Sequence, residues 1–454
     1  MSLETPKRTE AIIDRQDVHR VRSLQKALHA KAKSSPEFRF YTLYDKIYRS
    51  DVMGIAYRRC RANGGAAGVD EETFEKIEAY GVAKWLGELT EQLREKTYRP
   101  SPVRRVWTPK PGGKRRPLGI PTIKDRVTQM AARLVLEPIF EADLPPEQYG
   151  YRRKKSAHDA IGHVRRLVTR GHTEVVDADL SGYFDSIPHA ELMKSVARRV
   201  SDRAVLHLIK VWLTMPVEET DERGHTRRTT RNKDEKRGTP QGAPISPLLS
   251  NLYMRRFVYA WKVLGIERRL QARIVNYADD FVICCRGSAE EAMRAMRVMI
   301  EKLKLTINEQ KTTLCRLPEE TFDFLGYRIG RCYSPKTGHA YIGPRPSPRS
   351  IQRVCAEISE IAGRNRTTLP AEVVVGAINQ KLIGWSNYFS LGTVSKAYRS
   401  VGEHTRRRLR RWLCIKHKVR HSRGTSRFPD QYLHGKLGLV QLEARWRSCS
   451  WAKP

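Results

Sequence analysis

Two adjacent carboxylates, Asp279 and Asp280, sit where apolar runs at 273–277 and 281–285 flank a two-residue turn, Ala278-Asp279. Aspartate is an ordinary turn residue. Composition alone puts a Tyr-x-Asp-Asp in about one of a few tens of chains this size, so this pair is suggestive only. A second acidic site adds weight: Asp179 closes another apolar run, in Asp179-Leu180-Ser181-Gly182-Tyr183-Phe184-Asp185. A carboxylate at the end of a buried strand is costly unless it is paired or holds a metal. If the two strands are neighbours, Asp179 and Asp279 can share two divalent ions ~3.5–4 Å apart, which activate a hydroxyl and stabilise a leaving pyrophosphate. Asp177 lies on the same strand face but further from the strand end, and Asp185 has a weaker claim.

The elements that must position these acids follow from periodicity. A strand is expected over 174–180, with strands at 273–277 and 281–285. Residues 103–121 read as a hairpin around Pro111-Gly112-Gly113. A helix capped by Thr122 and Asp125 runs on to Phe140. Residues 1–100 read as helical, with stretches at 40–57 and 71–96 separated by the flexible Gly64-Gly65-Ala66-Ala67-Gly68. Helices fill most of 189–213 and 247–263, and the polar 217–237 is a loop or solvated hairpin. Ser288 and Glu291 cap a helix whose Met293, Met296, Ile300 and Leu303 form a core-facing stripe. The Pro/Gly-rich 335–348 reads as a domain boundary, followed by helices. No internal repeat is present.

The 454 residues carry 85 Lys+Arg against 49 Asp+Glu, a net +36, which points to a polyanionic partner. The excess is concentrated in residues 344–454, where 22 basic and 6 acidic side chains leave +16. No apolar run is long enough to span a membrane, and the N-terminus lacks the apolar core of a secretory signal. The 8 cysteines include no Cys-x-x-Cys pair, and they read as reduced thiols of a cytoplasmic protein. Cys414, His417 and His421 have zinc-like spacing, but the surrounding arginines and lysines disfavour a dication.

These blocks, with Arg237-Gly238-Thr239-Pro240-Gln241-Gly242 between them, resemble a group II intron reverse transcriptase (intron-encoded maturase) from about residue 37 to the C-terminus. The resemblance implies an α+β right-hand polymerase: fingers and palm with an antiparallel palm sheet, then an α-helical thumb or maturase domain. It implies an N-terminal extension and first fingers helices in 1–100, fingers and palm in 101–343, the maturase domain in 344–423 and a short basic tail in 424–454. Asp179, Asp279 and Asp280 match the catalytic carboxylates and, with the Leu180 carbonyl, the metal-binding set, in which Asp179 and Asp279 are the direct ligands. The implied cofactor is a pair of Mg2+ ions, with Mn2+ as a substitute. Phe184 matches the residue under the sugar that rejects a ribose 2′-hydroxyl, and Gln241 the residue against the incoming nucleotide. Lys110 and Arg116 match cations gripping the triphosphate, among the neighbours Lys114, Arg115 and Arg126. Lys311 matches a lysine near the pyrophosphate.

Phe324-Leu325-Gly326-Tyr327 resembles the primer grip, and Leu382-Ile383-Gly384-Trp385-Ser386-Asn387-Tyr388-Phe389 the maturase signature. In that signature Trp385, Tyr388 and Phe389 are expected as core. Arg406, Arg407, Arg410, Arg411, Lys416, Lys418 and Arg420 are expected along an RNA or duplex backbone. The implied partners are intron RNA, an RNA template with a DNA primer, dNTPs and target DNA. Many relatives continue into a Cys/His-rich nuclease segment. None occurs before Pro454, so the resemblance is to an endonuclease-lacking, class C-like subclass needing a primer made elsewhere. Two other readings remain: an RNA-binding splicing factor with a dead polymerase, against which the intact acids argue, and a related polymerase recruited to host defence or CRISPR spacer acquisition.

Overall fold

The computed structural model describes residues 14–109, 115–220, 225–240, 242–334 and 337–448. Helices and three sheets are interleaved along it, the α+β composition expected. The described strands are β1 (Val103–Pro109), β2 (Arg115–Ile120), β3 (Glu174–Asp179), β4 (Val217–Thr220), β5 (Thr226–Thr229), β6 (Arg273–Tyr277), β7 (Asp280–Cys285), β8 (Thr313–Arg316), β9 (Phe322–Phe324), β10 (Tyr327–Tyr333) and β11 (Ala340–Pro346). The acid-bearing sheet has the order β6-β7-β3-β8 and every pairing in it is antiparallel. A second sheet, β2-β1-β4-β5, is mixed because β1 and β4 run parallel. The polar 217–237 stretch therefore supplies a hairpin that widens the 103–121 hairpin into this sheet. The third sheet is β11-β10-β9.

Residues 14–100 are not separate from the rest of the described chain. One apolar core runs from Val21 through Trp85, Phe140, Trp212 and Trp261 to Leu305. The helix Ile123–Glu141 forms its spine, buried along nearly its whole length. Its start is set as expected: Thr122 accepts from the Asp125 amide at 3.2 Å. The fully buried Asp125 carboxylate in turn accepts from Tyr98, Ser101 and Thr122, so no bare charge is left inside. The 71–96 stretch is two helices, Phe74–Tyr80 and Val82–Arg94, interrupted at Gly81. Ser288 precedes the helix Ala289–Lys302 but does not cap it, since its hydroxyl donates to the Leu270 carbonyl. Met296, Ile300 and Leu303 are core, as the stripe predicts.

The Pro/Gly-rich stretch carries structure of its own, because β11 pairs with β10 across seven residues from Tyr333↔Ala340 to Tyr327↔Pro346. The prolines are tolerated at this sheet edge, and the helical part begins only with Pro348–Ile361. Residues 424–448, expected as part of a short basic tail, are packed into the fold. Phe428, Leu433, Leu439 and Leu442 are buried in the same core as Trp412, and a helix runs over Leu442–Ser448. Among the described residues, no helix is long and apolar enough to cross a membrane.

Candidate active site

Strand register brings the acids together. Along the antiparallel pair of β3 and β7, Asp179 stands directly opposite Asp280, so both side chains project from one face of the sheet. Asp279 lies in the turn that joins β6 to β7, after Ala278 in the left-handed region at φ 59°. Alanine is strained there, and the buried Asn276 amide holds the turn closed by donating to the Ala278 carbonyl at 2.8 Å and the Asp280 carbonyl at 3.4 Å. Segment 306–308 fixes the far side of Asp179: Ser181 N–H donates to Thr306 and Asn308 N–H to the Asp179 carbonyl, both at 2.8 Å. That bridge uses the groups flanking Leu180, so the Leu180 carbonyl is turned to the other edge of the strand, the β7 side.

The electrostatics call for a cation. Burial, then the charges of Asp279 and Asp179, push the Asp280 carboxyl up to about 6, with Lys311 as the opposing influence. Among the described residues no three His, Cys, Asp or Glu side chains form a closed metal cage. An open set of carboxylates, completed by substrate phosphates and water, is the arrangement expected of a catalytic divalent ion, and these residues fit one. Lys311 sits on the acids themselves, where the resemblance implies a place near the pyrophosphate. Its ammonium pairs with Asp179 Oδ2 at 2.7 Å, and Asn308 Nδ2 donates to the same oxygen at 3.0 Å. The lysine is 64% exposed, so it is free to move off the carboxylate.

Asp177 is the costly neighbour. Burial, followed by Asp280, Asp323 and Asp179, pushes its carboxyl up to about 7. The folded chain therefore holds a proton that the unfolded chain sheds near pH ~4, and stability falls as pH rises from there toward 7. Asp177→Asn is expected to raise the unfolding temperature at pH 8 in metal-free buffer, with the gain shrinking toward pH 5. An equal gain at both pH values would show that Asp177 does not titrate in this range.

Next to the acids, Phe184 lies in the short helix Tyr183–Ser186 and is 8% exposed. Its carbonyl accepts from Thr239 N–H at 2.7 Å, which ties it to the 238–240 loop. The ring borders a cleft of about 480 Å³ also lined by Gly64, Leu118, Arg126, Tyr151 and Gly242. The three catalytic candidates are not part of that lining. Gly242 has φ 100°, and a Cβ there would stand 2.3 Å from the Gly119 carbonyl, so only glycine lets this loop lie on β2. Lys110, Lys114 and Gln241 lie outside the described residues. Arg116 lies on β2 opposite Thr108. Arg126 serves the fold of the glycine loop, donating to the Gly64 and Ala66 carbonyls at 3.3 and 2.7 Å.

Phe324-Leu325-Gly326-Tyr327 is a tight hairpin turn between β9 and β10, with Leu325 and Gly326 both at positive φ. The fully buried Tyr327 hydroxyl accepts from the Ser390 and Leu391 amides at 3.0 and 3.3 Å and donates to the Tyr388 carbonyl. Tyr388 in turn donates to the Leu325 carbonyl at 2.9 Å. Phe389 is core as expected and Trp385 is half-buried, but Tyr388, expected as core, is 36% exposed and lends its hydroxyl to this turn.

The basic run divides in two. Arg407, Arg411, Lys418 and Arg420 are exposed. Arg406 and Arg410 instead pair with Asp430, and Arg406 also with Glu443. Lys416 donates to the Thr367 and Leu369 carbonyls at 3.0 and 2.8 Å. Three of the seven cations are thus engaged within the fold, Arg406 and Arg410 by acids of the downstream segment and Lys416 by backbone carbonyls, and four stand exposed. Seven described cysteines are free thiols, and Cys414 is buried with no metal cluster among the described residues. Sequence reasoning missed Asn276 and Tyr151, neither of which stands in a patterned motif.

Two family models match. "Reverse transcriptase (RNA-dependent DNA polymerase)" covers residues 108–329, and "Group II intron, maturase-specific domain" covers 351–428. The chain belongs to the group II intron reverse transcriptase–maturases. It is 32% identical over 348 residues to Protein YkfC of Escherichia coli K12, covering 68% of this chain and 88% of that one. It is 28% identical over 354 residues to the group II intron-encoded protein LtrA of Lactococcus lactis, covering 64% of this chain and 57% of LtrA. The putative COX1/OXI3 intron 1 protein of Saccharomyces cerevisiae is 26% identical over 62% of this chain and 38% of its own length. The chain thus spans little more than half of LtrA and less of the yeast protein. As a member of this family it is an RNA-directed DNA polymerase built on a palm-and-fingers fold that uses divalent metal ions and binds intron RNA.

Proposed function

We propose that this reverse transcriptase–maturase copies RNA into cDNA from a DNA primer, using dNTPs and two Mg2+ ions, with Mn2+ able to replace them. The carrying observation is the register that sets Asp179 against Asp280 with Asp279 in the adjoining turn. Divalent ions at these carboxylates supply Lewis acidity for the primer 3′-hydroxyl and neutralise the departing pyrophosphate. Asp179 and Asp279 hold them, Asp280 adds negative charge beside them, and the Leu180 carbonyl completes the set. Phe184 walls the sugar pocket, and Lys311 on its mobile stem leaves Asp179 for the triphosphate. Lys110, Arg116 and Gln241 grip the incoming nucleotide, and the 324–327 turn holds the primer end.

The helices after Pro348 are the thumb, and their exposed arginines follow intron RNA or template duplex through phosphate contacts, assisting splicing while the RNA performs the transesterification. Target DNA is the destination of the cDNA, and the bacterial cytoplasm is the setting. Primer extension by the purified chain on an RNA template is expected to give template-length cDNA with Mg2+ or Mn2+. Intact RNA binding with no extension under either ion would favour the reading as a splicing factor alone.

A further inference from the structure

A strap of chain joins the catalytic turn to the Phe184 ring. Residues 147–149 run beside β6, where Asn276 N–H donates to the Glu147 carbonyl at 2.9 Å and Tyr149 N–H to the Asn276 carbonyl at 2.8 Å. Gly150 then crosses the catalytic turn so closely that a Cβ would stand 2.4 Å from the Ala278 nitrogen. Its carbonyl accepts from the buried Asn251 amide at 2.7 Å. On the other side Arg152, its side chain 6% exposed, is locked by Glu141 and by the Pro145 and Gln148 carbonyls at 2.6 and 2.8 Å. Tyr151 is caught between these two anchors and forced into the left-handed region at φ 57°. A bulky residue there is strained and persists only where its surroundings impose it. The strain has a visible result: the ring, 44% exposed, stands in the cleft and meets the Phe184 ring edge-on at 6.3 Å.

We propose that Tyr151 is a specificity-determining positioning residue, holding the Phe184 ring in place and so setting the enzyme's discrimination between deoxyribonucleotides and ribonucleotides. The inference rests on the reading of Phe184 as the wall of the sugar pocket. Phe184 is packed from behind by Tyr183 at 5.7 Å and from the cleft side by Tyr151, so removing Tyr151 leaves the ring room to rotate into the cleft. The strap fixes Tyr151 relative to Ala278, which makes the distance from sugar wall to catalytic turn a property of one short segment.

Single-nucleotide insertion with dNTP and rNTP tests it, with kcat and KM taken separately. In Tyr151→Ala the ratio of the two kcat/KM values is expected to fall about tenfold, with the change carried by better rNTP use. Tyr151→Phe, which keeps the ring, is expected to retain wild-type discrimination. Tyr151→Gly relieves the backbone strain, so it is expected to unfold at or above the wild-type temperature while discriminating as poorly as the alanine variant. It decides the matter if Tyr151→Ala fails to fold. The double variant with Phe184→Ala is expected to discriminate no worse than Phe184→Ala alone. If Phe184→Ala relaxes discrimination and the Tyr151 variants do not, the proposal falls and the Phe184 reading stands. If Phe184→Ala itself changes nothing, the underlying reading falls. Additive losses in the double variant, or a Tyr151→Phe enzyme as lax as Tyr151→Ala, overturn positioning through the ring.

Discussion

Asp279→Asn is expected to abolish cDNA synthesis, by a factor of at least about a thousand, while the protein stays folded and binds RNA as before. The factor corresponds to the several kcal/mol of transition-state stabilisation that a misplaced divalent ion forfeits. The fold should survive because the turn is closed by Asn276, whose amide bonds the Ala278 and Asp280 carbonyls, and not by the Asp279 side chain. Removing one charge also relieves Asp280, whose carboxyl is raised partly by Asp279. The unfolding temperature of the metal-free variant should therefore equal or exceed that of the wild type. Primer extension and thermal unfolding together check this. Extension at the wild-type rate would remove Asp279 from the metal site, and a collapsed unfolding temperature would make it a structural residue.

The second large effect concerns salt. Reversing the four exposed cations, Arg407, Arg411, Lys418 and Arg420, to Glu is expected to weaken RNA binding by orders of magnitude. The slope of log affinity against log salt should flatten by about 3–4, close to one for each phosphate the four side chains no longer neutralise. Reversing Arg406 and Arg410 is expected to act differently. These two face Asp430 and Glu443, so the loss should appear as lowered stability, with the salt slope of the folded fraction little changed. Affinity measured across a salt series, beside thermal unfolding, separates the two sets. An unaltered slope in the first variant would place the RNA footprint elsewhere.

The acids are readable in the sequence because burial punishes a carboxylate at a strand end, so Asp179 and Asp279-Asp280 stand out against apolar runs. The strands that carry them follow from the same alternation. What periodicity does not contain is pairing between distant segments. Nothing in the sequence announces that Pro344 and Pro346 lie along a sheet edge beside β10, so a stretch read from composition as a boundary carries one strand of a hairpin. The basic 406–423 run reads as uniformly solvent-facing because its partner acids are single residues, Asp430 and Glu443, in a segment whose widely spaced Phe428, Leu433, Leu439 and Leu442 form no simple stripe. Tyr151 is invisible for a related reason. Its importance lies in a backbone angle imposed by Arg152 on one side and Ala278 on the other, and neither constraint is a local property of the sequence.

The Tyr327 hydroxyl, joined to three backbone groups at 388–391 while Tyr388 reaches back to Leu325, has a mechanical consequence. The hairpin turn and the C-terminal helices are bolted together at this joint, which Phe389 seals from the apolar side with Phe324 and Val282. Those helices cannot swing outward without dragging the turn along. On the proposed reading, with the turn at the primer end and the helices as the thumb, the hold on a strand end and the opening around a duplex are one setting, and a change that loosens either loosens both.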